Sequence, residues 1–252
     1  MNSVYQYLLN VKSKKGAGYI VLIDPDEKND DNLISQVHAA NVSGVDAFFV
    51  GGSLMMDSKH NARVATIKKE ANIPVIFFPG GVNQINSHYD AMLFMSLLSG
   101  RNPQYLIGEQ VVAAPIVKDL EIEVIPTAYL LFDGGTRSTV EVMSGTKPLP
   151  MSRPDIAVAH ALAAEYLGNK LIYLEAGSGA KEAIPIEIIQ TITDQTDVPL
   201  IVGGGIRTPD EAKDRVEAGA SFIVTGTVLE ENSGSGLMDE FADAVHRKIT
   251  SV

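Results

Sequence analysis

Eight short apolar runs recur along the 252-residue chain: YIVLID (19–24), AFFVGG (47–52), PVIFFPGG (74–81), AMLFMSLLS (91–99), EVIPTAYLLF (123–132), LIYLEAG (171–177), PLIVGGG (199–205) and FIVTG (222–226). None alternates apolar with polar, the pattern of parallel strands buried on both faces. Polar, periodic stretches of helix length separate most of them. In DDNLISQVHAANVSG, Leu33, Val37 and Ala40 share a face. In TPDEAKDRVEAGA, Thr208 is an N-cap, Pro209 takes the first helical position, Glu211 completes a capping box and Gly219 stops the helix. Eight buried strands with intervening helices at this length predict an α/β fold, a (β/α)8 TIM barrel in one domain over residues 1–252, ahead of an open doubly wound sheet.

Two intervals break the pattern. Too few residues separate the third run from the fourth for a full crossover helix, so the third helix is expected to be reduced or replaced by a loop or single turn. The stretch FDGGTRSTVEVMSGTKPLPMSRPD is turn-rich, and its alternating STVEV predicts an extra strand or a lid.

With 45% hydrophobic residues the chain can fill a large core. It has no cysteine, which removes disulfides and thiolate chemistry and suggests a reducing, cytoplasmic setting. A formal net charge of -11 argues against a nonspecific grip on nucleic acid or anionic lipid. The longest apolar run is too short to span a bilayer, so no stable membrane insertion is expected. The five histidines show no zinc-binding spacing, and no dinucleotide, Walker or nucleophile-elbow motif is present.

In a TIM barrel the chemistry lies at the carboxyl ends of the strands. Those ends carry Asp24, Gly51-Gly52-Ser53, Gly80-Gly81, Glu175 with AGSG, Gly203-Gly204-Gly205 and Gly226-Thr227. Glycines there let backbone N–H groups approach an anion, and three clusters after the last three strands favour a phosphate site over a set of tight turns. Burying Glu175 costs several kcal/mol unless it is paired or used. It either pairs with a cation or holds or deprotonates a substrate hydroxyl, with Tyr173 on the same strand face. Asp24, with Ser53 on the adjacent strand, suits Mg²⁺; equally, Asp24-Pro25-Asp26 is a turn with an Asx cap.

LIDPD, VGGS, SGRNPQYLIGEQ, YLEAGSGA, IVGGGIRTPDEA and VTGT, in this order, resemble the geranylgeranylglyceryl phosphate synthase family, in its LIDPD-bearing branch and including bacterial members. The resemblance covers nearly the whole chain. It implies a modified barrel with an altered third helix. It also implies a Mg²⁺-dependent prenyltransferase joining a polyprenyl diphosphate, such as geranylgeranyl diphosphate, to the 3-hydroxyl of sn-glycerol 1-phosphate in phospholipid metabolism. On this resemblance Asp24 and Ser53 ligate the metal. Tyr173, Leu174, Glu175, Ala176, Gly177, Ser178, Gly179, Gly204, Gly205, Gly226 and Thr227 hold glycerol phosphate, with Glu175 and Tyr173 at its hydroxyl. Some members carry a Lys two residues before the first-strand Asp, where Leu22 stands here, so that contact is missing or supplied by a residue such as Arg101 or Lys181. Barrels of this kind self-associate, so a homo-oligomer is expected. The competing readings are an isomerase or cyclase of the histidine-biosynthesis type, which shares the late glycine clusters, and a non-catalytic ligand-binding barrel.

Overall fold

All eight apolar runs become strands: β1 Gly18–Ile23, β2 Ala47–Val50, β3 Val75–Phe77, β4 Ala91–Leu97, β5 Glu123–Leu131, β6 Leu171–Glu175, β7 Leu200–Gly203 and β8 Phe222–Thr225. In this computed structural model, which describes residues 3–231 and 236–246, they pair in parallel in sequence order, and β8 returns to β1 to close a barrel. The strand period of two then sorts side chains into two layers. On β6, Leu171 and Tyr173 join the interior cluster, whereas Ile172 and Leu174 join the layer between barrel and helices.

Helices α1 Val4–Lys15, α2 Leu33–Val42, α3 His60–Glu70, α4 Glu109–Asp119, α5 Thr139–Ser144, α6 Pro154–Tyr166, α7 Ile186–Thr193, α8 Pro209–Glu217, α9 Thr227–Glu231 and α10 Leu237–Val245 complete the described chain. Thr208 and Glu211 form the capping box of α8, and Leu33, Val37 and Ala40 are buried on α2, both as the sequence predicts. No helix among the described residues is long and apolar enough to cross a membrane.

The N-terminal end of the barrel is closed by α1, whose Leu8 packs into the interior cluster. The backbone N–H of Tyr5 donates to the Glu123 carboxylate at the start of β5. Nearby, buried Asp46 accepts from Lys15 Nζ at 2.6 Å, from the Tyr19 N–H at 2.9 Å and pairs with His246 Nε2 at 2.8 Å. One carboxylate thus ties α1, β1 and the segment after α10 together through three partners.

Between β3 and β4 there is only a 3₁₀ turn, Val82–Gln84, where a crossover helix would otherwise lie. The buried Gln84 side chain joins the turn to its neighbours, donating to Gly52 O at 2.7 Å and accepting from Gly80 N at 3.1 Å. The extra strand expected from STVEV is absent, because this segment is the helix α5. Ser138 caps it by accepting from Glu141 N at 3.3 Å, and Gly145 ends it at φ 63°.

Candidate active site

The carboxyl ends of the strands open onto a polar basin of about 430 Å³. Its floor is aromatic: Tyr173 stacks on Tyr129 with ring centres 5.4 Å apart, and Phe78 lies 5.4 Å from Tyr173. Glu175, the last residue of β6, is 6% exposed. Its Oε1 accepts from the Gly177 N–H at 2.7 Å, and no cation pairs with it among the described residues. Burial pushes its carboxyl up to about 7, against the opposing influence of the Gly177 N–H and the nearby Tyr173 hydroxyl. The Tyr173 hydroxyl itself is buried and, among the described residues, meets no partner in hydrogen-bond geometry. The reading of Glu175 as half of a structural ion pair therefore fails. What lies in the basin is a carboxylate and a phenol, both under-satisfied and both facing a space where a substrate hydroxyl fits.

Gly204 explains how Glu175 is accommodated. Its φ is +80°, and a Cβ there would lie 2.5 Å from Glu175 Oε1 and 2.8 Å from Gly177 N. Beside it, Ser178, Gly179, Gly205, Gly226 and Thr227 line the same wall, with Ser178 Oγ 3.2 Å from Thr227 Oγ1. Among the described residues the backbone N–H groups of Ser178, Gly179, Gly204, Gly205 and Gly226 have no backbone acceptor. Uncommitted N–H donors in a concave, side-chain-poor wall make an anion cradle. Two residues expected in the site are placed otherwise. Leu174 and Ala176 point into the outer core layer because they alternate with Tyr173 and Glu175, so their side chains contribute nothing to the lining. Gly177 directs its N–H at Glu175 instead.

Asp24, at the end of β1 beside β8, and Ser53, after β2, line the same basin. The Asp24 side chain is one-third exposed, and a Cβ on Gly52 would lie 2.5 Å from its Oδ1. Burial raises its carboxyl to about 6, Lys28 opposes the rise, and Asp26 and Glu230 reinforce it. No three His, Asp or Glu side chains among the described residues form a metal cage. One carboxylate, a neighbouring hydroxyl and open space nevertheless fit Mg²⁺, which takes hard oxygens and retains water or phosphate ligands.

A second, apolar cavity of about 140 Å³ joins the first. Ser53, Phe78, Tyr129 and Val140 line both. It runs past the short β3–β4 connection between Met92, Phe94 and Ala113, and reaches the surface at the half-exposed Met143 of α5. The sequence matches the model of the PcrB family over residues 10–246. The chain belongs to the PcrB family.

Relatives of this PcrB-family chain carry a common name. A geranylgeranylglyceryl phosphate synthase of Chitinophaga pinensis is 40% identical over 245 residues, 97% of this chain and 96% of the relative. One of Korarchaeum cryptofilum is 44% identical over 211 residues, 84% of this chain and 86% of the relative. The crystal structure of (S)-3-O-geranylgeranylglyceryl phosphate synthase from Thermoplasma acidophilum, in complex with its substrate sn-glycerol-1-phosphate, matches with a TM-score of 0.90 at 35% identity. That match covers 98% of this chain and 99% of the other.

The cations of this PcrB-family basin differ from those expected. Arg101 donates to Leu98 O and Gly100 O outside it, and Lys181 is not in its lining; Lys28 and Arg207 are. Lys28 Nζ lies 3.9 Å from Asp24 Oδ2 and 3.6 Å from Glu230 Oε2. Arg207 donates to Ala180 O at 2.6 Å and Lys181 O at 3.0 Å, bracing the loop that follows β6. The four-residue spacing of Lys28 from Asp24 was the available signal for the first. Arg207 announced itself only by following GGGI.

Proposed function

We propose that this protein is a Mg²⁺-dependent prenyltransferase that joins a polyprenyl diphosphate, geranylgeranyl diphosphate foremost, to the 3-hydroxyl of sn-glycerol 1-phosphate, giving an ether-lipid precursor. The observation that carries the reading is the union of a polar basin and an apolar groove through Ser53, Phe78, Tyr129 and Val140. A substrate with a charged head and a long hydrocarbon tail needs both, and at their junction the allylic carbon faces the basin.

The glycine wall of β6, β7 and β8 takes the glycerol phosphate, leaving its 3-hydroxyl toward Glu175 and Tyr173. Asp24 and Ser53 would hold Mg²⁺, which when bound neutralises the diphosphate and eases its departure. The hydroxyl oxygen attacks the allylic carbon, the bond from that carbon to the diphosphate oxygen breaks, and inorganic diphosphate leaves. Glu175, ionised above pH about 7, accepts the hydroxyl proton. The aromatic floor of Phe78, Tyr129 and Tyr173 faces the positive charge that develops on the allylic carbon, where ring faces are stabilising. A reducing compartment and self-association complete the reading, to be checked by fractionation and light scattering.

The test is incubation of the protein with labelled sn-glycerol 1-phosphate, Mg²⁺ and prenyl diphosphates of increasing length. An ether product that needs the cation and forms faster than with sn-glycerol 3-phosphate supports the reading. Equal rates with the two enantiomers, or no ether product, would refute it.

A further inference from the structure

We propose that Arg63 is a positioning residue for the diphosphate end of the site, clamping the loop that carries Asp24 to the loop that carries Ser53. The proposal rests on the assignment of Asp24 and Ser53 to that end.

Arg63 lies in the first turn of α3 and is 5% exposed. Its Nε and Nη2 donate to Asp30 Oδ1 and Oδ2 at 2.5 and 2.9 Å. Its Nη1 and Nη2 donate to Asp57 Oδ1 and Oδ2 at 2.7 and 2.8 Å. The remaining Nη1 proton points at Pro25 O, 3.5 Å away. All five N–H groups are therefore committed: three to the loop after β1, at Pro25 and Asp30, and two to the loop after β2, at Asp57. A planar fork satisfies two carboxylates at once, which a lysine ammonium does not do.

The same two loops meet a second time inside the basin, where Asp24 Oδ1 packs on Gly52 so closely that no Cβ fits. One contact faces the ligand and the other lies behind it. Without the rear contact, what steadies the loop after β1 near Asp24 is light: the Asp26 N–H to Asp24 O at 2.8 Å, Asn29 Nδ2 to the same carbonyl, and the exposed Lys28 Nζ at 3.9 Å from Asp24 Oδ2 and 3.6 Å from Glu230 Oε2. Arg63 holds the Asp57 carboxyl down to about 2 and that of Asp30 below its usual range, so the cluster stays charged at any working pH. No residue of the clamp lines the basin. Arg63 acts through Pro25, next to Asp24, and through Asp57, four residues beyond Ser53.

The anion cradle of β6 to β8 shares none of Arg63's contacts, so the two ends of the site should respond differently. In R63M, and more mildly in D57N, the affinity for inorganic diphosphate with Mg²⁺, measured by calorimetry, should fall by about 10–100-fold, as it does when groups that orient metal ligands are removed. The KM for prenyl diphosphate should rise in parallel, while the Kd for sn-glycerol 1-phosphate stays unchanged. D57N is the decisive variant if R63M does not fold. A lowered melting temperature with unchanged diphosphate affinity would make Arg63 a stability residue only. Equal weakening of both ligands would mean general loosening. Either outcome overturns the proposal. D24N on the same calorimeter separates the two levels of the argument: undiminished Mg²⁺-diphosphate binding there overturns the assignment of Asp24, and the clamp's function with it.

Discussion

Glu175 is a carboxylate with one backbone donor, a phenol beside it and, among the described residues, no cation. Its folded pKa of about 7 exceeds the ordinary 4.5, so between those values the native state holds a proton that the unfolded chain has released. Stability from this group is therefore full below pH about 4.5 and lost as pH rises through 7. The melting temperature of wild type should fall relative to that of E175Q between pH 5 and 8, and the mutant should be equally or more stable at neutrality. Turnover of E175Q should drop by about 10²–10⁴-fold, the usual contribution of a general base. The rise of wild-type kcat/KM through pH about 7 should vanish with it. A destabilised E175Q with a normal rate per folded molecule would remove the base. Asp24, raised to about 6, must lose its proton to bind a cation, so Mg²⁺ affinity should decline below that pH, and in D24N it should be weak at every pH. Glu175 was legible in the sequence because a lone carboxylate ending an apolar run has few structural uses. Arg63 was not, because its meaning lies in Asp30 and Asp57, 33 and 6 residues away.

Elements were legible where burial dictated them. A strand enclosed on both faces is a continuous apolar run whatever its neighbours, so β1 to β8 stand out, and the shortened interval after β3 shows that no helix fits there. The segment around α5 misleads because five alternating residues satisfy a strand and a single helical turn alike. The deciding signals were Ser138 three residues before Glu141 and Gly145 beyond the end, which are capping chemistry rather than periodicity. Between elements, the turn after β7 carries the strongest constraint. Gly204→Ala would force a side chain at φ +80° against Glu175 and Gly177, at a cost of about 1–3 kcal/mol for the backbone alone. Calorimetry should show weakened sn-glycerol 1-phosphate binding in this variant, with Mg²⁺-diphosphate affinity retained. Unchanged glycerol phosphate affinity would show that the wall is not the phosphate cradle.

At the scale of the whole molecule, the absent helix opens the barrel's flank, and the apolar groove occupies the opening. Ala113 of α4 lines it and is 3% exposed. Ala113→Phe should narrow the groove, raising the KM for the longest prenyl diphosphates most and leaving inorganic diphosphate binding as it was. The overpacking should lower stability by about 1–3 kcal/mol. A uniform loss across chain lengths would place the tail elsewhere. The sequence indicated the apolar residues of this region but not that they line a groove, since any one of them reads equally as barrel core.

A flank opening beside an axial mouth also bears on the order of events. If the charged acceptor enters along the barrel axis and the hydrocarbon from the side at Met143, neither occupant blocks the other's route. Initial-rate measurements with both concentrations varied should give the intersecting lines of a random sequential scheme, and detergent micelles should compete with the prenyl donor alone.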